Sequence, residues 1–236
     1  MRIRSIFNII ACIGVLGGSV LYGTSVAGAT TMPDNLSSSI SYVQGQINAR
    51  IAVLNILVNR VDDSTKIQAS DQAALLGIIG NTSSGDISAL SALYAKVGGE
   101  STLSAVRLDL RVVYSTYRIY AVVRPETDLV LIADQETHLV GVLQSLEPDL
   151  QTIISSAGSQ QAATAAYGSF VSNLADATSA VGSIASQAIA ITPTSFNQDP
   201  TGTHAMVVND WKSLGIARGH LVAARGDITT IIRTVG

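Results

Sequence analysis

The chain is poor in cysteine, charge and aromatic residues, and each shortage removes a class of protein. Cys12 is the only cysteine, and it falls in a segment expected to be removed. What remains has neither a disulfide framework nor a thiolate for catalysis or metal binding. Lysine and arginine number 14 against 17 acidic residues, a formal net charge of −3, with none between Pro125 and Trp211. Nucleic acid and anionic lipid are poor partners for that balance, because both are held through clustered positive charge. Aromatics are only 5% of the residues, and without disulfides stability must come from packing alone. His138, His204 and His220 share no metal-ligand spacing, and the acids and histidines form no nucleophile, base and orienter set. No catalytic, cofactor or metal residue is assigned, and no cofactor is expected.

What is present begins with Met1-Arg2-Ile3-Arg4, followed by an uncharged run from Ser5 to Ala29 that closes on Ala27-Gly28-Ala29. This reads as a signal peptide, residues 1–29, with Ala27 and Ala29 as the small residues before the cut. The expected location is secreted or extracytoplasmic. The run also meets the ~20-residue requirement for a membrane span, which leaves an uncut N-terminal anchor as the alternative. Cleavage would remove Arg2 and Arg4 but no acid, taking the net charge from −3 to −5.

Beyond Pro33, apolar residues return every three or four positions, the spacing of one helical face. Leu36, Ile40, Val43, Ile47, Leu54 and Val61 predict a first helix, with Asp34 or Asn35 as its cap. Leu76, Ile79, Ile87, Leu90, Tyr94 and Val97 predict a second, read through Gly80 and Gly85 because the stripe keeps phase across them. Leu103, Val106, Leu110, Val113, Tyr117 and Tyr120 predict a third, kinked or ended at Pro125, where Pro125-Glu126-Thr127-Asp128 also has the chemistry of a fresh helix start, with proline at N1 and acids in the first turn. Its run from Val112 to Val123 would suit a strand by propensity, but alternation by two would put Arg118 among the apolar residues.

A fourth stripe runs from Leu129 to Ile153 and is expected to bend at Pro148. The fifth segment, about Gln160 to Ile189, is mostly Ala, Ser and Gly, and its small side chains suggest an inner helix. Residues 192–203 read as a long loop, and Leu214, Ala217, Leu221, Ala224, Ile228, Ile231 and Val235 form a heptad in the last helix. The expected fold is all-α, an elongated antiparallel helical bundle. Residues 30–124 would form one three-helix unit and residues 125–236 another, sharing a Pro-kinked central helix. A single six-helix bundle is the alternative.

Tyr117-Arg118-Ile119-Tyr120-Ala121-Val122-Val123-Arg124-Pro125, the segment Leu129 to Asp134, and the Ala-Arg steps at Arg218 and Arg225 carry a resemblance. The chain resembles exported, coiled-coil-rich helical proteins of Gram-positive-type and candidate-phylum bacteria, a group with no known activity. The resemblance implies a helical fold in the envelope or outside the cell, and no site residue.

Two features are candidate sites. Arg107, Arg111, Tyr114 and Arg118 step by four, three and four, which lines them up beside the apolar stripe. They form either a recognition face of guanidinium forks and a ring, or a flank pairing with acids of a neighbouring helix. The second reading fits the nine acids of the lysine- and arginine-free stretch. Glu136 falls between Ile132 and Leu139 on an apolar stripe, either as a functional acid with a raised pKa or as a group with a bland role, paired with an arginine or placed where the stripe reaches water. Asp134 and His138 form an i, i+4 pair, read as a surface hydrogen bond more readily than a weak metal site. Trp211 and the tyrosines offer a platform for glycan, against a default of core packing.

The expectation is therefore a structural or interaction protein of the envelope, presenting helical surfaces to a protein or cell-wall polymer. The alternatives are a small-molecule or lipid-binding helical module and a membrane-active helical effector.

Overall fold

A computed structural model describes residues 32–80, 82 and 85–236. The expected signal peptide 1–29, with Ala27 and Ala29, lies outside the described residues. Within them the chain is all-α, with helices packed on one another and no strand.

Helix α1 (Leu36–Asp62) starts where the Asn35 side chain accepts the Ser38 amide at 2.8 Å, which satisfies one of the unpaired donors of the first turn. It buries Val43, Ile47, Leu54 and Val61 of the stripe read from spacing, and Leu57 beside them. The second predicted helix is two helices, α2 (Ala69–Ile79) and α3 (Asp86–Gly98). Gly80 and Gly85 both have extended backbone, and the helix penalty of ~1 kcal/mol at each glycine outweighs the continuity of the stripe. Helix α4 (Leu103–Val112) begins at Thr102, whose hydroxyl accepts the Ala105 amide at 3.2 Å.

Beyond Val112 the chain widens into two five-residue π turns, Val113–Tyr117 and Ile119–Val123, on either side of Arg118. Arg118 is left-handed, with φ 45° and ψ 34°. The left-handed break therefore falls at Arg118, and Pro125 marks the fresh start of an α-helix. The run of β-branched and aromatic side chains that raised the question of a strand loses side-chain freedom against the preceding turn of an α-helix, so its hold on regular α-helical bonding is weak. Pro125 instead lies in the first turn of α5 (Arg124–Gln144), where its missing amide removes no helical bond.

Every residue from Glu126 to Leu131 is buried, as are Ala133, Asp134 and Glu136, so the first half of α5 is enclosed on all sides. The inner-helix role expected of the Ala/Ser/Gly-rich segment belongs to α5. That segment, α7 (Gln161–Val181), buries one stripe through Ala163, Ala166, Phe170, Leu174, Ala177 and Val181 and exposes much of the rest. Pro148 does not bend a helix but starts one, in the first turn of α6 (Glu147–Ser156). Gly182 and Ser183 separate α7 from α8 (Ile184–Ile189).

The expected loop 192–203 contains the short helix α9 (Pro193–Gln198) and the start of α10 (Pro200–Val235). Thr192 and Ser195 cap α9 reciprocally, with Pro193 in its first turn. The heptad residues Leu214, Ala217, Leu221, Ala224, Ile228 and Ile231 are all buried along α10.

The chain divides into two compact units, each drawing on separated stretches of sequence, whereas the sequence reading divides it once, after residue 124. One unit comprises Met32–Leu139 and Thr178–Arg218, where α1 packs against α2, α3 and α4 around Ile47, Leu54, Leu90, Val97 and Leu129. The other includes Val140–Ala177 and Gly219–Gly236 and buries Leu143, Leu150, Phe170, Leu174 and Ile228.

Candidate functional site

The sites below lie in the unit built from residues 32–139 and 178–218. On α1, Gln46 and Arg50 are one turn apart, and the Arg50 Nη1 donates to the Gln46 carbonyl at 2.8 Å and to its Oε1 at 3.1 Å. Arg50 is only 4% exposed. Its guanidinium lies 4.6 Å from the centre of the Tyr114 ring and 5.2 Å from that of Tyr120. The Tyr114 hydroxyl donates to the same Gln46 Oε1 at 3.1 Å. Burial, together with the neighbouring Tyr42, pushes the Tyr114 hydroxyl pKa up, while Arg50 acts against the rise. No carboxylate among the described residues forms an ion pair with Arg50, so its charge is held by two aromatic faces and an amide. Both rings remain open to water, Tyr114 at 43% and Tyr120 at 45%.

The helix break makes this stack. At ~100° per residue, Tyr114 and Tyr120 would lie about 120° apart around an unbroken α-helix. The π turns and the left-handed Arg118 put both against one cation. They also undo the expectation that Tyr117 and Tyr120 share the buried stripe, since Tyr117 packs half-buried on the core while Tyr120 faces solvent.

The same break divides the predicted face of Arg107, Arg111, Tyr114 and Arg118. Arg107 and Arg111 stay together on the exposed side of α4, with Leu108 exposed between them. Tyr114 turns to Arg50. Arg118 turns to α9, where its Nε donates to Asn197 Oδ1 at 2.9 Å and its guanidinium lies 5.0 Å from the Phe196 ring centre. Asn197 Nδ2 in turn donates to the Ser115 carbonyl at 2.7 Å.

Pairing of this face with the acidic stretch does not occur among the described residues. Asp128 is met by Arg60 at 2.5 Å and by Arg124 at 3.9 Å, Glu136 by Arg218 at 3.0 Å, and Asp109 by Lys96. Glu136 is thus the partner of an arginine, one of its two sequence readings. Burial pushes its pKa up to about 7 against the opposing pull of Arg218, and its Oε2 has no hydrogen-bond partner.

Asp134 is buried and accepts from the Gln68 amide at 2.8 Å and from its Nε2 at 3.0 Å, while His138 is exposed, so the i, i+4 pair is not formed. Burial raises the Asp134 pKa, and the Gln68 bonds act to lower it. Trp211 packs half-buried against the core. Among the described residues no group of three or more His, Cys, Asp or Glu is placed to hold a metal ion, and no helix is long and apolar enough to cross a membrane.

Glu126 was missed by the sequence reading, which took it as an acid at a helix start. It is 2% exposed, and its Oε1 has no hydrogen-bond partner. Burial, with the neighbouring Asp86 adding, pushes its pKa up to about 9. Burial alone pushes Asp86 to about 6. Burial and the nearby Asp86 also raise the Tyr117 hydroxyl. The only signal available was a glutamate one residue past a proline at a helix start, and a solvated first turn carries the same signal.

No family model, no curated protein and no solved structure matches the chain.

Proposed function

We propose that the chain is an exported protein of the cell envelope or its surroundings that binds a partner protein and has no catalytic role. Its binding surface is the solvent side of α4 and the π turns: Arg107, Leu108, Arg111, Tyr114 and Tyr120, with Arg50 behind the rings. The observation that carries this reading is the stack, in which two half-open tyrosine rings are fixed on a buried guanidinium that meets no carboxylate among the described residues. Rings held in place lose little further freedom on binding, and tyrosine and arginine are the side chains that most often dominate protein interfaces. Arg107 and Arg111, exposed and paired with no acid among the described residues, supply charge for a carboxylate-bearing partner.

Two measurements test the reading. The first is the N-terminal residue of the protein recovered from cells, expected to be Thr30 in an extracytoplasmic fraction. The second places a photo-crosslinking residue at Leu108 or at Tyr120, with the exposed Val222 as control. A discrete protein adduct from the first two positions and none from Val222 supports the surface. Adducts at all three, at none, or with wall polymer only, would refute it.

A further inference from the structure

The proposed surface depends on a backbone that the local sequence does not favour. Arg118 carries a β-carbon, and a left-handed conformation at such a residue is sterically costly. It also separates two π turns, a form that α-helices adopt rarely. Something has to hold Arg118 there.

The contacts that hold it come from α9. Asn197 bonds at both of its side-chain atoms, accepting from Arg118 Nε at 2.9 Å and donating to the Ser115 carbonyl at 2.7 Å. In an unbroken α-helix that carbonyl would take the Ile119 amide, so Asn197 supplies a donor where the helix is interrupted. Phe196 adds its ring face to the Arg118 guanidinium. Helix α9 is itself preorganised by the Thr192 and Ser195 capping box and by Pro193, yet it buries none of its residues. A segment well formed in itself but attached by exposed contacts can leave without unfolding the core.

We propose that α9 is a strap that sets the binding surface: Asn197 is a positioning residue that keeps Arg118 left-handed and so keeps Tyr114 and Tyr120 stacked on Arg50. A partner or condition that lifts α9 would take the two rings apart. This inference rests on the reading of the stack as the binding surface, but its test needs no partner.

The test follows the free chain by amide exchange and by the NMR signal of the Arg50 Nε–Hε group, which two stacked rings shield. In Asn197→Ala, exchange of amides 113–121 is expected to speed up by about tenfold or more, with α1 core amides 43–57 unchanged, and the Arg50 signal to move toward its unstacked position. Arg118→Gly added to Asn197→Ala is expected to return the signal to the parent position and exchange to within about threefold, because glycine takes the left-handed conformation without penalty. Asn197 is exposed, so its loss leaves the fold intact. Exchange within about twofold of the parent in Asn197→Ala would overturn the proposal, as would failure of the glycine to restore the stack. A stack that behaves as expected while Tyr120 crosslinks to nothing would instead refute the functional reading and leave the strap standing.

Discussion

Glu126 makes the fold sensitive to pH in a direction unusual for a carboxylate. Its ordinary pKa of 4.5 is pushed to about 9 by enclosure in α5, with the nearby Asp86 adding to the effect. The folded carboxyl holds its proton more tightly than the unfolded one, so its contribution is intact below about pH 4.5 and is lost as pH rises through about 9. One unit of pKa difference is worth about 1.4 kcal/mol, so roughly 3 kcal/mol is lost by pH 7 and roughly 6 kcal/mol by pH 9. Against a usual total of about 5–15 kcal/mol, that is a large fraction. Glu126→Gln keeps the shape and cannot ionise. Urea unfolding of both proteins from pH 4.5 to 9 is expected to show a difference near zero at the acid end. The difference should widen in favour of glutamine by about 1.4 kcal/mol per pH unit. Asp86→Asn removes the neighbouring negative charge and is expected to end the widening at a lower pH. A difference that stays flat across the range would mean that the Glu126 carboxyl is hydrated or paired, and the reasoning from burial would fail.

Arg218→Ala strips the cation from buried Glu136 and is expected to cost about 3 kcal/mol or more in urea unfolding, with much of the loss recovered in Arg218→Ala/Glu136→Gln, which removes both charges. Arg107→Glu/Arg111→Glu touches no acid partner, so thermal unfolding is expected to move by no more than about 0.5 kcal/mol while crosslinking from Leu108 disappears.

Helix and stripe were legible because both are written in spacing: Val43, Ile47, Leu54 and Val61 of α1 and the heptad of α10 from Leu214 to Ile231 are buried as the periodicity names them. The interruptions were less legible. Gly80 and Gly85 announced a break that the in-phase stripe concealed. Pro125 marked the start of the next α-helix, as its first-turn chemistry suggests, but nothing local marked the left-handed break at Arg118, which contacts from elsewhere in the chain hold. The candidate face of Arg107, Arg111, Tyr114 and Arg118 assumed 3.6 residues per turn through residue 118, and failed where that assumption fails. Arg50 and Gln46, which complete the stack, lie more than sixty residues away in sequence, and no local pattern joins them to Tyr114. Glu126 was hidden for another reason: enclosure of α5 on every side depends on how many helices surround it, which one helix's own sequence does not state.

The acids of α5 nevertheless share a logic that can be tested at Asp134. All but Glu126 tie the enclosed helix to a different element: Asp128 to Arg60 of α1, Glu136 to Arg218 of α10, and Asp134 to Gln68 at the start of α2. Helix α2 has no side-chain cap from its own sequence, so the Asp134 carboxylate takes that place from α5. In a core of small aliphatic side chains that could slide with little loss, bonds of this kind fix the register. Asp134→Ala is expected to cost about 1–2 kcal/mol, the loss of a cap and a buried acceptor, and to speed exchange of amides 69–72 by about tenfold. Asp134→Asn retains an acceptor oxygen and is expected to lose less than half of that. Equal losses for the two variants, or faster exchange spread evenly over α1 and α2, would mean that Asp134 fills space and does not set where α2 begins.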